Sequence, residues 1–247
     1  MNTLTPIELH KLRTTPAGWV AVGVTLALAL VATATNILVD GATHLPLGST
    51  DHVDKALSSA SLTSMVMLAL GVLIIAGEYR HRTIMQAYLG EPRRGRVLAA
   101  KLVTAGVVGA VLGAVTFGLT YVEAVVLYGS RGLHSLPIDL TQLWVGATLS
   151  TMLYGLLGVA LGALTRNTVA AIVGGIAWAM VIEAGILATV VPDLAKWLPT
   201  GAATALTTTS GTAGGLLAPG VAALVLAAWA MALSGIAARF TLSREAH

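Results

Sequence analysis

The sequence has no cysteine. That absence removes disulfide frameworks, thiol nucleophiles and Cys-ligated metals from its possible chemistry, and says little about compartment. Charge is nearly as scarce. Asp, Glu, Lys and Arg make up 10% of the chain, against about 25% in a soluble domain. A chain that is 56% hydrophobic, with a mean hydropathy of +0.84, does not have water as its main solvent. The small net charge of +3 could suggest nucleic acid, but on a lipid-embedded chain basic residues have a better explanation in topology, and no nucleic-acid partner is expected. Also missing is the period-2 alternation of a membrane barrel; the apolar residues run continuously.

What is present is a set of long apolar runs. A helix crossing the hydrocarbon core needs roughly 20 such residues. Six stretches qualify: 17–39, 57–77, 102–128, 140–164, 169–191 and 216–238. The expected fold is therefore all-α, a polytopic membrane protein of six transmembrane helices in a single domain over residues 1–247. No connection is long enough to hold an independent core. Eleven Lys and Arg, from Lys11 and Arg13 through the 80–101 cluster to Arg244, fall on one side; only Lys55, Arg131 and Lys196 fall on the other. The positive-inside rule then places both termini in the cytoplasm. Lys11, Arg13 and "ATA" at Ala32–Ala34 imitate a cleaved leader. The apolar run continues to Val39, however, and an uncleaved first helix is the expectation.

Motifs that look chemical fail in detail. "GEPRRGRV" (Gly90–Val97) spaces two glycines like a phosphate loop, but Arg96 and Val97 follow the second and no strand precedes it. The six histidines lie outside the predicted spans without zincin spacing, and "DHVD" (Asp51–Asp54) reads as a solvated loop in preference to a weak external metal site. "TTTSG" (Thr207–Gly211) has no histidine or acid fixed beside it. Neither catalysis by this chain nor a metal site is expected.

Two acids sit inside predicted spans, Glu123 and Glu183. A charge in hydrocarbon costs from about 2.5 kcal/mol upwards, so each is a candidate for a substrate or ion pathway. At a 1.5 Å rise per residue, Glu183 stands about 25 Å from Arg166 and Glu123 about 33 Å from Lys101. Both therefore belong toward the outer leaflet, where an interfacial acid with local partners is the alternative. Gly109 with Gly113, and Gly158 with Gly162, have the small-residue spacing that lets helices approach closely. Trp19, Trp144, Trp197, Tyr128 and Tyr154 fit interfacial belts or packing. The fifth connection, punctuated by Pro192, Pro199 and Pro219, is half apolar. It predicts a re-entrant piece packed into the outer half of the bundle.

The charge concentrates after the second run. "AGEYRHRTI" (Ala76–Ile84) opens a connection reaching to Lys101 in which Tyr79, Ile84, Met85, Tyr88 and Leu89 interleave with the charges. That pattern suits a short amphipathic docking helix ended at Pro92; binding of lipid headgroups by the arginines is the alternative. Near the N-terminus, Leu4, Ile7 and Leu12 stand against Glu8, Lys11 and Arg13. They suit an interfacial helix on the inner leaflet or a plain basic tail.

Glu78-Tyr79-Arg80-His81-Arg82-Thr83-Ile84, followed by Pro92-Arg93-Arg94-Gly95-Arg96 and Lys101, resembles the first cytoplasmic loop of type-2 ATP-binding-cassette (ABC) exporter permeases, small actinobacterial members especially. The likeness extends over the chain. It takes in "ELHKLRTTPAGW" (Glu8–Trp19), the six spans, Glu183 and the later Pro192 and Trp197–Pro199. The resemblance implies two paired permeases, identical or related, in a bacterial plasma membrane. Two separate cytoplasmic ATPase subunits, which bind ATP and Mg, would sit beneath them. It makes 78–96 the coupling loop, Leu4–Arg13 the elbow helix and 192–215 the external re-entrant region, with Glu183 beside an outward exit path for an amphiphilic or hydrophobic substrate. An ion- or proton-coupled carrier using Glu123 and Glu183 is the competing function. A non-transporting membrane scaffold is the third.

Overall fold

The computed structural model describes residues 16–39, 44–80, 94–133, 135–209 and 215–242. These form helix α1 (Pro16–Leu38), α2 (Thr50–Leu57), a 3-10 turn at Ser58–Ser61, α3 (Leu62–Arg80), α4 (Arg94–Ser130), α5 (Leu140–Thr165) and α6 (Thr168–Ala177). The last widens into a π-helix at Trp178–Leu187 and ends in one α turn, Ala188–Val190; α7 (Pro192–Ala195), α8 (Pro199–Leu206) and α9 (Pro219–Leu242) complete the order. No strand occurs among the described residues. Six helical stretches are long and apolar enough to cross a membrane: Gly18–Leu38, Thr50–Gly77, Gly95–Ser130, Leu140–Thr165, Thr168–Val190 and Pro219–Phe240.

Local chemistry explains where these helices start. Ser49 caps α2 by accepting from the His52 amide at 3.2 Å. Asp139 caps α5 through Gln142, and Asn167 caps α6 by accepting from both Val169 and Ala170 at 3.1 Å. Arg166 alone separates the end of α5 from that last cap. It turns the chain in the left-handed conformation, φ 53°, with its amide bonded back to Gly162.

Three expectations from sequence are corrected here. The second span begins at Thr50, seven residues early, because α2 and the 3-10 turn run into α3. "DHVD" is therefore helical, with His52, Val53 and Asp54 buried, and is no solvated loop. The connection placed at 78–101 is shorter: Glu78, Tyr79 and Arg80 close α3, and Arg94 opens α4, so 94–101 is helix. Lys101 is fully buried and donates to the Ile74 carbonyl at 2.9 Å. Burial of its stem and a bond to a neighbouring helix outweigh solvation at this cytoplasm-predicted end.

The core is organised around α5. Its most apolar window is 67% buried, against 17% for the fifth span. α5 packs most extensively on α3 and α4, then α9. Missing side chains make this possible. A Cβ at Gly158 would overlap the Leu68 carbonyl, and one at Gly162 would press on Val72 and Ile75 of α3. Gly109 and Gly113 face Thr151, Met152 and Ala147 of α5 in the same manner. The small-residue pairs are thus helix contacts, as close packing in lipid requires. Ser64 of α3 meets Ser150 and Thr151 of α5 at 3.2 Å, so the buried hydroxyls there are paired across the interface.

Candidate functional site

The fifth span is held by a thin stripe. Thr168, Ala171, Ala179 and Glu183 are its buried residues, while Val173, Val181 and Ile186 are exposed on its other side. Steps of four drift round an α-helix. The wider i→i+5 turns of the π segment reverse that drift and keep Ala179 and Glu183 on the inward face.

Glu183 is 3% exposed. Its Oε2 accepts from the backbone amide of Thr200 at 2.8 Å, the second residue of α8. Leu198, at the cap position of α8, offers no side-chain bond, so a carboxylate from another helix satisfies this open N-terminus and its partial positive charge. Tyr154 of α5, 1% exposed, donates its hydroxyl to Thr200 Oγ1 at 3.3 Å. Three helices therefore meet through Glu183, Thr200 and Tyr154.

Three cavities also meet there. The first, about 360 Å³, runs along the fifth span between α5 and α9; Leu68, Leu157, Trp178 and Trp229 contribute to its walls, with Glu183, Tyr154 and Pro199. A second, about 460 Å³, lies beyond Glu183 and is lined by Thr200, Lys196 and Leu216 among others. A third, about 170 Å³, is bounded by Tyr154, Thr200 and Ser64. Glu183 separates the first from the second, and Tyr154 the first from the third. The Trp229 ring is oriented by its indole donating to the Trp197 carbonyl at 2.9 Å.

Outside the spans, Lys196 donates to Asp193 at 2.8 Å. That hydrogen bond, and then the ammonium charge, hold the fully exposed Asp193 carboxyl below its ordinary range. The connection after α8 is fastened at its far side. Asp54 accepts from the Thr209 amide at 2.9 Å and its hydroxyl at 2.7 Å, and Gln142 donates to the Thr208 carbonyl. His52 Nδ1 meets the Tyr128 hydroxyl at 2.6 Å.

Glu123 is elsewhere. It is half-buried on α4, its Oε2 buried without a hydrogen-bond partner among the described residues, and it lines none of the three cavities. The two acids grouped by sequence do not form one site. Arg94 lies in the first turn of α4 and Glu78, Tyr79 and Arg80 in the last turn of α3. His81, Arg82, Thr83, Ile84, Pro92 and Arg93 lie outside the described residues, as do Glu8, Lys11, Leu12 and Arg13. Sequence reading missed Thr200, Trp178 and Trp229, and assigned Tyr154 only to belts or packing. A tyrosine halfway along an apolar span was the one available signal, since its hydroxyl needs a partner. The chain matches no family model and no curated protein sequence.

Proposed function

We propose that this chain is the membrane-spanning permease subunit of an ATP-driven exporter of the type-2 ABC class. In this reading it sits in a bacterial plasma membrane with both termini cytoplasmic, paired with a second copy or a related permease. Two separate ATPase subunits bind ATP and Mg beneath it, and residues 78–96 take up their motion. The observation that carries it is the cavity along the fifth span. It is apolar and flanked by a helix with little attachment to the bundle, and Glu183, Thr200 and Tyr154 stand where it adjoins the α7–α8 segment. Such a cavity suits an amphiphilic or hydrophobic cargo, and movement of α6 relative to α5 is the cheapest rearrangement that opens it. The α7–α8 segment acts as the re-entrant outer closure, with Ala202, Ala203, Ala205 and Leu206 packed on the core.

The resemblance of Glu78–Ile84 to a coupling loop supports the ATPase partner. Affinity purification of the tagged chain from its own membranes tests this. A soluble ATPase is expected to accompany it, and Tyr79→Ala to lower that recovery severalfold without altering expression. Recovery of the chain with no ATPase would refute the coupling assignment. Glu123 favours the carrier reading in one respect, a carboxylate oxygen with no hydrogen-bond partner among the described residues. Glu123→Gln should leave ATP-driven transport intact, and its abolition of transport would favour the carrier.

A further inference from the structure

Among the described residues, the first cavity is lined by one carboxylate and no cation. Those residues are mostly hydrocarbon, with three aromatic side chains (Tyr154, Trp178 and Trp229), the Thr165 hydroxyl and Glu183. The described residues give that carboxylate a single hydrogen bond, from Thr200 to Oε2. Lys196 is the cation of the adjoining cavity, and its ammonium is engaged by Asp193 at 2.8 Å. A buried carboxylate that keeps its charge needs a compensating positive group. Faces of tryptophan and tyrosine attract cations, most strongly where water is excluded. A volume of about 360 Å³ lies within the roughly 300–1,000 Å³ range of small-molecule sites.

We infer that this cavity binds a lipophilic monovalent cation, with Glu183 as counter-ion and the aromatic side chains against the charge-bearing end. Both halves of the chemistry are required. An anion of the same shape would meet Glu183 unfavourably, and a small hydrated cation would leave the apolar walls unfilled. A lipid acyl chain would fill those walls but leave the carboxylate with only the Thr200 amide and the partial positive charge of the α8 N-terminus. The inference rests on the permease reading only in calling the ligand a cargo; the binding itself needs no ATPase.

Purified full-length chain in lipid nanodiscs, with empty nanodiscs subtracted for partitioning, is titrated with tetraphenylphosphonium and with tetraphenylborate. These ions share a shape and differ in sign. Saturable binding of the phosphonium is expected, at least about tenfold tighter than the borate, a factor worth about 1.4 kcal/mol. Glu183→Gln should erase that preference, and because the Gln carbonyl can still accept from Thr200, the fold is retained. Gly174 lines the cavity with open space around its Cβ position. Gly174→Leu should therefore occlude the site and lower phosphonium binding while leaving Glu183 in place. Equal binding of both ions, a preference that survives Glu183→Gln, or co-purifying phospholipid that blocks the phosphonium would each overturn the proposal. Failure here with an ATPase still co-purifying would leave the permease reading standing; the converse would leave the cation site standing.

Discussion

Glu183 answers two demands with one side chain. It caps α8 through Thr200 and supplies the one carboxylate that the described residues bring to the fifth-span cavity. The first role predicts a stability difference between two substitutions. Glu183→Ala leaves the Thr200 amide without its acceptor, at a cost of about 1–3 kcal/mol, whereas Glu183→Gln keeps a carbonyl in reach. Thermal unfolding in a fixed detergent should rank wild type and Gln close together, with Ala clearly lower; equal midpoints for Ala and Gln would remove the cap role. Asp54 makes a similar case outside the cavity. Asp54→Asn turns an NH2 toward one of the two Thr209 donors, so hydrogen exchange at residues 207–209 should quicken. Unchanged exchange would show that Asp54 does not fasten this segment. Sequence exposed the existence of both acids but not their partners. Glu183 and Thr200 are 17 positions apart and Asp54 and Thr209 are 155 apart. Only tertiary packing brings such pairs together. The short "DHVD", between Thr50 and Lys55, looked solvated because its burial depends on neighbours that no local pattern encodes.

Among the elements, α5 and the fifth span are opposites, and glycine tells them apart. Gly158 abuts the Leu68 carbonyl, where even one added carbon would push backbones apart. Gly174 has nothing within 4 Å of its Cβ position. Gly158→Ala should therefore cost on the order of 1–3 kcal/mol or more, as overpacking does, and lower the monodisperse yield, while Gly174→Ala should be neutral in size-exclusion profile. Similar behaviour of both variants would contradict the packing described for α5. The six spans were legible because apolar length is a property of contiguous residues, and the small-residue pairs were legible from spacing. The π-helix at Trp178–Leu187 was not. Its turns depend on holding Ala179 and Glu183 against the bundle, and its residues carry no local mark that separates them from an ordinary helix. The early start of the second span was hidden for another reason: Asp51, Asp54 and Lys55 made α2 look like loop, although Ser49 caps it and its inner face is buried.

Across the whole molecule, a closely packed centre of α3, α4 and α5 carries a fifth span with one narrow line of attachment and a cavity beside it. That division suits a protein in which one helix moves against a fixed core. Its orientation is testable because the chain has no cysteine of its own. Single cysteines replacing His81 and Asp193 should react with a membrane-impermeant maleimide from opposite sides, His81→Cys only from the cytoplasm. Labelling of His81→Cys in intact cells would invert the topology. The energy source separates an ATP-driven permease from an ion-coupled carrier. It is tested by transport in proteoliposomes holding this chain and any ATPase that co-purifies with it, following tetraphenylphosphonium with ATP supplied on the ATPase side, or with an imposed proton or sodium gradient and no nucleotide. Movement away from the ATPase side is expected only with hydrolysable ATP, reduced at least about tenfold by Glu183→Gln and abolished with a non-hydrolysable analogue. Movement driven by the ion gradient alone, indifferent to ATP, would contradict it.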